Sequence, residues 1–220
     1  MVKNLTEVVF ILDASGSMSN LTADTIGGVN GIHKKQRAQE GGEVLITTVL
    51  FNTKTHTVHD RIPLSEVADL TEKEYVPCGG TALLDAVGET VSHIKKVHHY
   101  IRSEDVPQKT MVVIMTDGEE NSSCTYDYSA VKKMVQDQEK DGWEFLFLAA
   151  NINAAEHSVR FGIAAKHAVD WVGDKRGQRL AFEGVAKSVG DVRLGADMDS
   201  QMEKNFFAIR EDFKKRGGKK

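Results

Sequence analysis

The chain has 220 residues, 40% of them hydrophobic and 27% charged, with a formal net charge of -4. That length suits one main domain with a substantial core rather than two full ones. The ordinary composition and slightly acidic balance give no signal for disorder, nucleic-acid binding or a membrane surface, and the start, through Glu7, holds nothing near the roughly 20 apolar residues of a bilayer span.

Val8 to Leu12 is a continuous apolar run ending in Asp13, the pattern of a central strand buried on both faces. The loop after it turns at Gly16, and a helix is expected from about Ser19-Asn20 to Gln39, although Gly27, Gly28 and Gly31 lower its propensity. Val44 to Phe51 reads as a second strand. Thr55 to Ile62 alternates enough to return beside it as an antiparallel strand at the sheet edge, closed by Pro63. From Ala82 onward Leu83, Val87, Val91 and Ile94 recur at helical spacing, with Thr81 at the start. Met111 to Met115 is another buried strand, running into Thr116-Asp117-Gly118. A helix follows from about Asp127 to Lys140, and then a strand from Trp143 to Ala149 in which Trp143, Phe145 and Phe147 alternate as packing residues. Asn153 and Glu156 have the spacing of a reciprocal helix cap, His167 to Val172 suits a short last strand, and Leu180 to Val189 reads as a helix. This alternation predicts an α/β fold: a mostly parallel sheet with one antiparallel edge strand and helices on both faces.

Residues 1–195 form this body, and residues 196–220 differ from it. Ser200 and Glu203 have capping-box spacing, and Met202, Phe206, Ile209 and Phe213 make an apolar stripe that should pack on the body or across a homodimer. Lys214 to Lys220 is expected to be a solvated, mobile basic tail. His93, His98 and His99 lack further ligands at zinc spacing and are expected on a helix surface. Two cysteines, Cys78 and Cys124, do not make a disulfide framework; they suit a reducing, cytoplasmic compartment.

Three segments, Asp13-Ala14-Ser15-Gly16-Ser17, Gly79-Gly80-Thr81 and Thr116-Asp117-Gly118, bring carboxylate and hydroxyl oxygens to loops after strands. Taken singly, the serines are ordinary loop or capping residues and Thr81 is an N-cap. Together they suggest one hard divalent cation at the rim where parallel strands end. Asp13 and Asp117 would hold coordinated waters and balance charge, and Gly16 allows Ser15 and Ser17 to point inward from one tight loop. The flanking residues Asn52, Cys78, Gly79, Glu119, Glu120, Asn121 and Tyr126 are candidates for a partner-binding rim. An enzyme using Mg2+ for hydrolysis or phosphoryl transfer is the competing class, but no Gly-rich nucleotide loop or second acid/base constellation accompanies these residues.

On these residues, in this order, the chain resembles a von Willebrand factor type A domain with a complete metal-ion-dependent adhesion site, over roughly residues 6–190. The resemblance implies a doubly wound three-layer fold and Ser15, Ser17 and Thr81 as direct ligands. Asp13 and Asp117 would act mainly through water. It also implies Mg2+, with Mn2+ or Ca2+ as substitutes, and an open coordination position that accepts an Asp or Glu carboxylate from a protein partner, without catalysis.

Overall fold

The computed structural model describes residues 4–217. Six strands form one sheet in the order β3-β2-β1-β4-β5-β6: β1 (Leu5–Asp13), β2 (Glu43–Phe51), β3 (Thr55–Pro63), β4 (Lys109–Thr116), β5 (Trp143–Ala150) and β6 (Ala168–Trp171). Every neighbouring pair is parallel except β2 with β3. The helices are α1 (Thr22–Ala38), α2 (Leu83–Tyr100), α3 (Tyr128–Lys140), α4 (Ala154–Arg160), α5 (Lys175–Arg193) and α6 (Met198–Arg216). The result is the three-layer, doubly wound α/β architecture that the alternation predicts.

The continuous apolar strands divide their residues between two cores. Val8, Phe10 and Leu12 of β1, Met111, Val113 and Met115 of β4, and Leu146 and Leu148 of β5 point to one face, where α1, α5 and α6 cover them. Val9, Ile11, Val112, Ile114, Phe145 and Phe147 point to the other, under α2, α3 and α4. Period-two alternation inside an all-apolar run therefore serves two cores at once, which is why these strands show no polar face. Close helix approach is built with glycine. A methyl group on Gly28 of α1 would overlap the Phe182 ring of α5, and one on Gly184 of α5 would overlap Phe206 of α6.

Several local expectations need correction. Gly16–Leu21 is a 3-10 helix, so α1 starts only at Thr22. The helix expected over Leu180 to Val189 is α5 and runs from Lys175 to Arg193, because Asp174 caps it by accepting the Gly177 amide at 2.8 Å. Asn153 accepts the Glu156 amide at 3.1 Å, the first half of the expected reciprocal cap. Ser200 does not open α6: Asp197 is the N-cap and accepts the Ser200 amide. Of the expected α6 stripe, Met202, Phe206 and Ile209 pack into the α5-side core, joined by Met198, while Phe213 is only partly buried. Lys214, Lys215 and Arg216 are its last turn rather than a tail, and Arg216 pairs with Asp212 and with the capping Asp174. Lys219 and Lys220 lie outside the described residues. Among the described residues no helix is long and apolar enough to cross a membrane.

Two buried polar groups were not legible as such. Glu7 lies inside β1 with its side chain fully buried, where Arg61 donates to it at 2.8 Å and the His98 ring sits 2.6 Å away. His98 is thus a half-buried partner of a core carboxylate, not a surface histidine; burial of that charge is tolerated because it is paired on both oxygens. His93 and His99 are exposed, as expected. On the other side of the sheet His33 of α1 is fully buried, with the rings of Phe10 and His59 each at 6.1 Å. Neither of its ring nitrogens has a hydrogen-bond partner among the described residues.

Burial lowers the His33 pKa to about 4, helped by the charges of His59 and Arg37 and opposed by Asp69. A histidine held neutral in the fold but titrating normally when unfolded contributes stability that is complete above the unfolded pKa and is lost as pH falls toward the folded one. The wild type should therefore lose stability between about pH 6.5 and pH 4 more steeply than His33→Leu, by up to about 1.4 kcal/mol per pH unit. Urea denaturation across that range measures it; parallel stability curves for the two proteins would refute it.

Candidate functional site

β1 and β4 are neighbours in register, Leu12 beside Met115, so their last residues emerge side by side. Asp13 is clamped there. One carboxylate oxygen accepts the Ser15 amide at 2.7 Å and the other accepts the Thr116 hydroxyl at 2.6 Å. Ser15 Oγ lies 3.0 Å from Ser17 Oγ, and Ser17 Oγ donates to Asp117 Oδ1 at 2.7 Å. Asp13, Ser15, Thr81 and Asp117 are buried and Ser17 is exposed, so the set opens to solvent on the Ser17 side. Thr81 completes it from a third loop: a methyl group placed on Gly118 would come within 3.9 Å of the Thr81 hydroxyl, which puts that oxygen beside the Asp117–Gly118 turn.

Burial pushes both carboxyls above the ordinary carboxylate range. For Asp13 this holds against the hydrogen bonds from Ser15 and Thr116, and the charge of Asp117 adds to the push. For Asp117 the Ser17 hydroxyl opposes it in part. Two acids share a dry rim, then, with hydroxyls for company. Among the described residues no group of three or more His, Cys, Asp or Glu side chains converges to hold a metal ion; the oxygen gathered here is mostly hydroxyl.

Backbone hydrogen bonds sew the loops together. Ala14 N donates to Phe51 O at 2.7 Å, Cys78 N to Ala14 O at 2.9 Å, Gly16 N to Gly79 O at 3.1 Å and Ala82 N to Asn52 O at 2.7 Å. The Tyr75 hydroxyl donates to the Asp13 carbonyl at 2.6 Å, and Asn151 Nδ2 to the Asp117 carbonyl at 3.0 Å. Two glycines make this proximity possible. Gly79 has φ +71°, and a side chain on Gly80 would collide with Ser122 Oγ and Asn121 Oδ1. Thr81 is not the N-cap of α2. That position is Ala82, which has no side-chain cap bond, and the orphan Leu84 amide is satisfied by Glu120 Oε2 at 2.8 Å from the facing loop.

The seven expected rim residues divide by what they touch. Cys78 and Gly79 are exposed beside the site, and Asn52 Nδ2 donates to Cys78 Sγ at 3.2 Å. Glu119 is exposed, 3.7 Å from His157. The other three bond to the protein itself, Asn121 while remaining exposed. Glu120 accepts the Leu84, Ser122 and Ser123 amides and the Ser123 hydroxyl. Asn121 Oδ1 accepts the Thr81 amide at 2.9 Å, while its own amide donates to the Thr81 carbonyl at 3.0 Å. The Tyr126 ring fills the space over Gly88 of α2, with its hydroxyl 3.3 Å from Ser92. Sequence reasoning missed Asp85, Thr116, Tyr75 and Asn151. Only Thr116 carried a signal, as the hydroxyl residue in front of Asp117. Cys78 and Cys124 are both free and exposed.

A family model described as "VWA domain containing CoxE-like protein" matches residues 3–168. The chain belongs to this VWA family. No curated protein matches the sequence. Among solved structures, this VWA chain is similar to the vWF domain of the type V pili tip protein Mfa5 from Porphyromonas gingivalis (13% identity, 88% of this chain and 97% of that one, TM-score 0.64). It is also similar to proximal thread matrix protein 1 from the mussel byssus (13% identity, 86% and 47%, TM-score 0.59) and to a D319A mutant of the PilB minor pilin from Streptococcus sanguinis (12% identity, 87% and 63%, TM-score 0.57). The chain spans about half the length of the byssus protein, one structure of which has a zinc-occupied MIDAS motif. At these identities the likeness is one of fold.

The loop over residues 120–126 is fastened to α2 from both sides. Asp85 of α2 accepts the amides of Cys124, Thr125 and Tyr126 at 2.8–2.9 Å, and its own amide donates to Ser123 Oγ at 3.0 Å. Burial opposes ionisation of Asp85, but the three amides hold its carboxyl below the ordinary range. Asp85→Ala should therefore destabilise the fold by roughly 1–3 kcal/mol and speed amide exchange in the 120–126 loop before any other segment. Thermal denaturation and hydrogen exchange check this; unchanged protection of that loop would show that Asp85 does not order it.

Proposed function

We propose that this chain is a metal-dependent protein-docking module, whose bound divalent cation is coordinated by an Asp or Glu carboxylate of a partner protein. The observation that carries this reading is the buried pair Asp13 and Asp117, bridged by Ser15 and Ser17 hydroxyls and lacking a cationic side chain among the described residues around them. The donor set fits a hard ion, being wholly oxygen with two negative charges. On this reading Ser15, Ser17 and Thr81 hold the ion directly and Asp13 and Asp117 do so through water, as a complete metal-ion-dependent adhesion site would. Mg2+ is the expected ion, and Mn2+ or Ca2+ would substitute. Once bound, the ion supplies a Lewis-acidic position at which a carboxylate can be recognised.

The chain's own residues account for the rest. Asp13 and Thr116 fix the first loop, Asn121 positions Thr81, and the half-buried Asn52 with the exposed Cys78, Gly79 and Glu119 would surround the opening where a partner is read. The relatives support association over turnover, since by their names they are a pilus tip protein, a minor pilin and a thread matrix protein. We assign the docking role to residues 1–195, with 196–220 as an appended helix, and read the compartment as cytoplasmic on the two free, exposed thiols.

Titration calorimetry should detect Mg2+ binding to the wild type, weakened roughly 10–100-fold or more in Asp13→Ala and Ser15→Ala. At a hundredfold excess over its dissociation constant the ion should add about 2.7 kcal/mol of stability. Equal affinity in the folded variants would reject the site. Partner recovery from the source cell should fall with chelator and with Thr81→Ala; recovery indifferent to both would reject metal-mediated docking even where the ion binds.

A further inference from the structure

The sheet has two edges, and they are not equivalent. At one, β3 is irregular: its pairing with β2 shifts register between Ile46 and Thr48 and again between Thr48 and Val49, and Arg61 sits at φ +53°. Such a bulged edge offers no flat ladder to another strand. At the other, β6 pairs with β5 in regular parallel register, and apart from the Ala168 amide, which donates to the Ala165 carbonyl, no backbone hydrogen bond among the described residues engages β6 outside that pairing. β6 is four residues long, and with the Ala168 amide taken this edge offers about one N–H and two C=O groups.

Beside that edge lies a cavity of about 260 Å³, lined by Ala168, Val169 and Asp170 of β6 and by Arg210, Phe213 and Lys214 of α6. The three α6 residues share a helix face at i, i+3 and i+4 spacing. Arg210 makes no side-chain hydrogen bond or ion pair among the described residues, although carboxylates are plentiful on α6. Lys214 has only an exposed contact with Glu211 at 3.1 Å, which contributes little and exchanges readily. Asp170, the one acid in the lining, already accepts the Ala154 amide at 2.8 Å. The space therefore combines an open ladder, an aromatic ring and two available positive charges.

We propose that the outer edge of β6, together with the Arg210–Lys214 face of α6, docks an extended acidic peptide segment that adds to the sheet as a further strand. The short ladder gives the segment its direction and register, Phe213 takes an apolar side chain, and Arg210 and Lys214 select for Asp or Glu facing α6. The same charges turn away basic strands, so the edge is selective rather than generally adhesive. This goes beyond the metal-dependent reading and uses none of its residues. It also lies almost wholly past the family match, which ends at residue 168.

The test uses the full chain in excess chelator, so that failure of the metal site cannot affect it. Fluorescence anisotropy would follow a labelled decapeptide of alternating Val and Glu, its Val and Lys counterpart, and a Val and Glu version N-methylated at alternate backbone nitrogens. The acidic peptide should bind saturably, roughly tenfold more weakly to Arg210→Glu, whose surface position leaves the thermal midpoint near that of the wild type. The Lys and N-methylated peptides should not bind, and amide exchange in 168–171 should slow only with the acidic one. The proposal is overturned by absence of saturable binding up to millimolar peptide, by equal affinity in Arg210→Glu, or by binding that survives N-methylation.

Discussion

The structure turns on a charge delivered to the dry end of a strand. β1 is buried along its whole length and has no solvent face, so its last residue, Asp13, arrives at the sheet rim already out of water. A carboxylate in that position needs donors or a cation, because desolvation without either costs several kcal/mol. The chain answers with the Ser15 amide and the Thr116 hydroxyl on Asp13, with Ser17 on Asp117, and with backbone bonds that hold the Gly79 loop against the Asp13 loop. Much of the loop chemistry on this side of the molecule exists to hold those two acids in place.

Those loops also show how a set of side chains is held steady by its neighbours. Thr81 is positioned through Asn121, Asn121 sits in a loop ordered by Glu120 and Asp85, and Asp85 and Glu120 each hold the N-terminal turn of α2 against that loop. The Thr81 hydroxyl, two residues ahead of α2, is thus referred to the helix and to the facing loop together. The supporting shell is acidic and amidic, as the site is, yet its charges are spent on backbone amides and do not compete with the rim.

The fold was legible because apolar runs of strand length admit few alternatives, and the meeting of Asp13, Ser15, Ser17 and Asp117 was legible because their oxygens fall directly after those runs. What stayed hidden depended on contacts far apart in sequence. Glu7 fell in the start segment, ahead of the strand expected from Val8; its partners Arg61 and His98 lie 54 and 91 residues away. The bonds that Glu120, Asn121 and Tyr126 make to α2 and the Thr81 loop were hidden because position in sequence does not say which way a loop side chain turns. The cap of α6 was misplaced for a subtler reason: Asp197 and Ser200 are both good capping residues three apart, and only the backbone decides which one is outside the helix. Lys214 to Arg216 resembled a tail because a run of like charge hides individual pairings such as Arg216 with Asp174.

The order of strands in the sheet governs when the site can exist. Ser17 meets Asp117 across 100 residues of chain, and Asp13 meets Thr116 across 103, since β1 waits in the middle of the sheet for β4 to be placed beside it. Closing so long a loop costs entropy that only the finished strand pairing repays. During synthesis the first loop leaves the ribosome well before its counterpart has been translated, so for that interval Asp13, Ser15 and Ser17 are merely a solvated turn. The grouping of oxygens at this rim is therefore a property of the paired strands and cannot precede the docking of β4 beside β1.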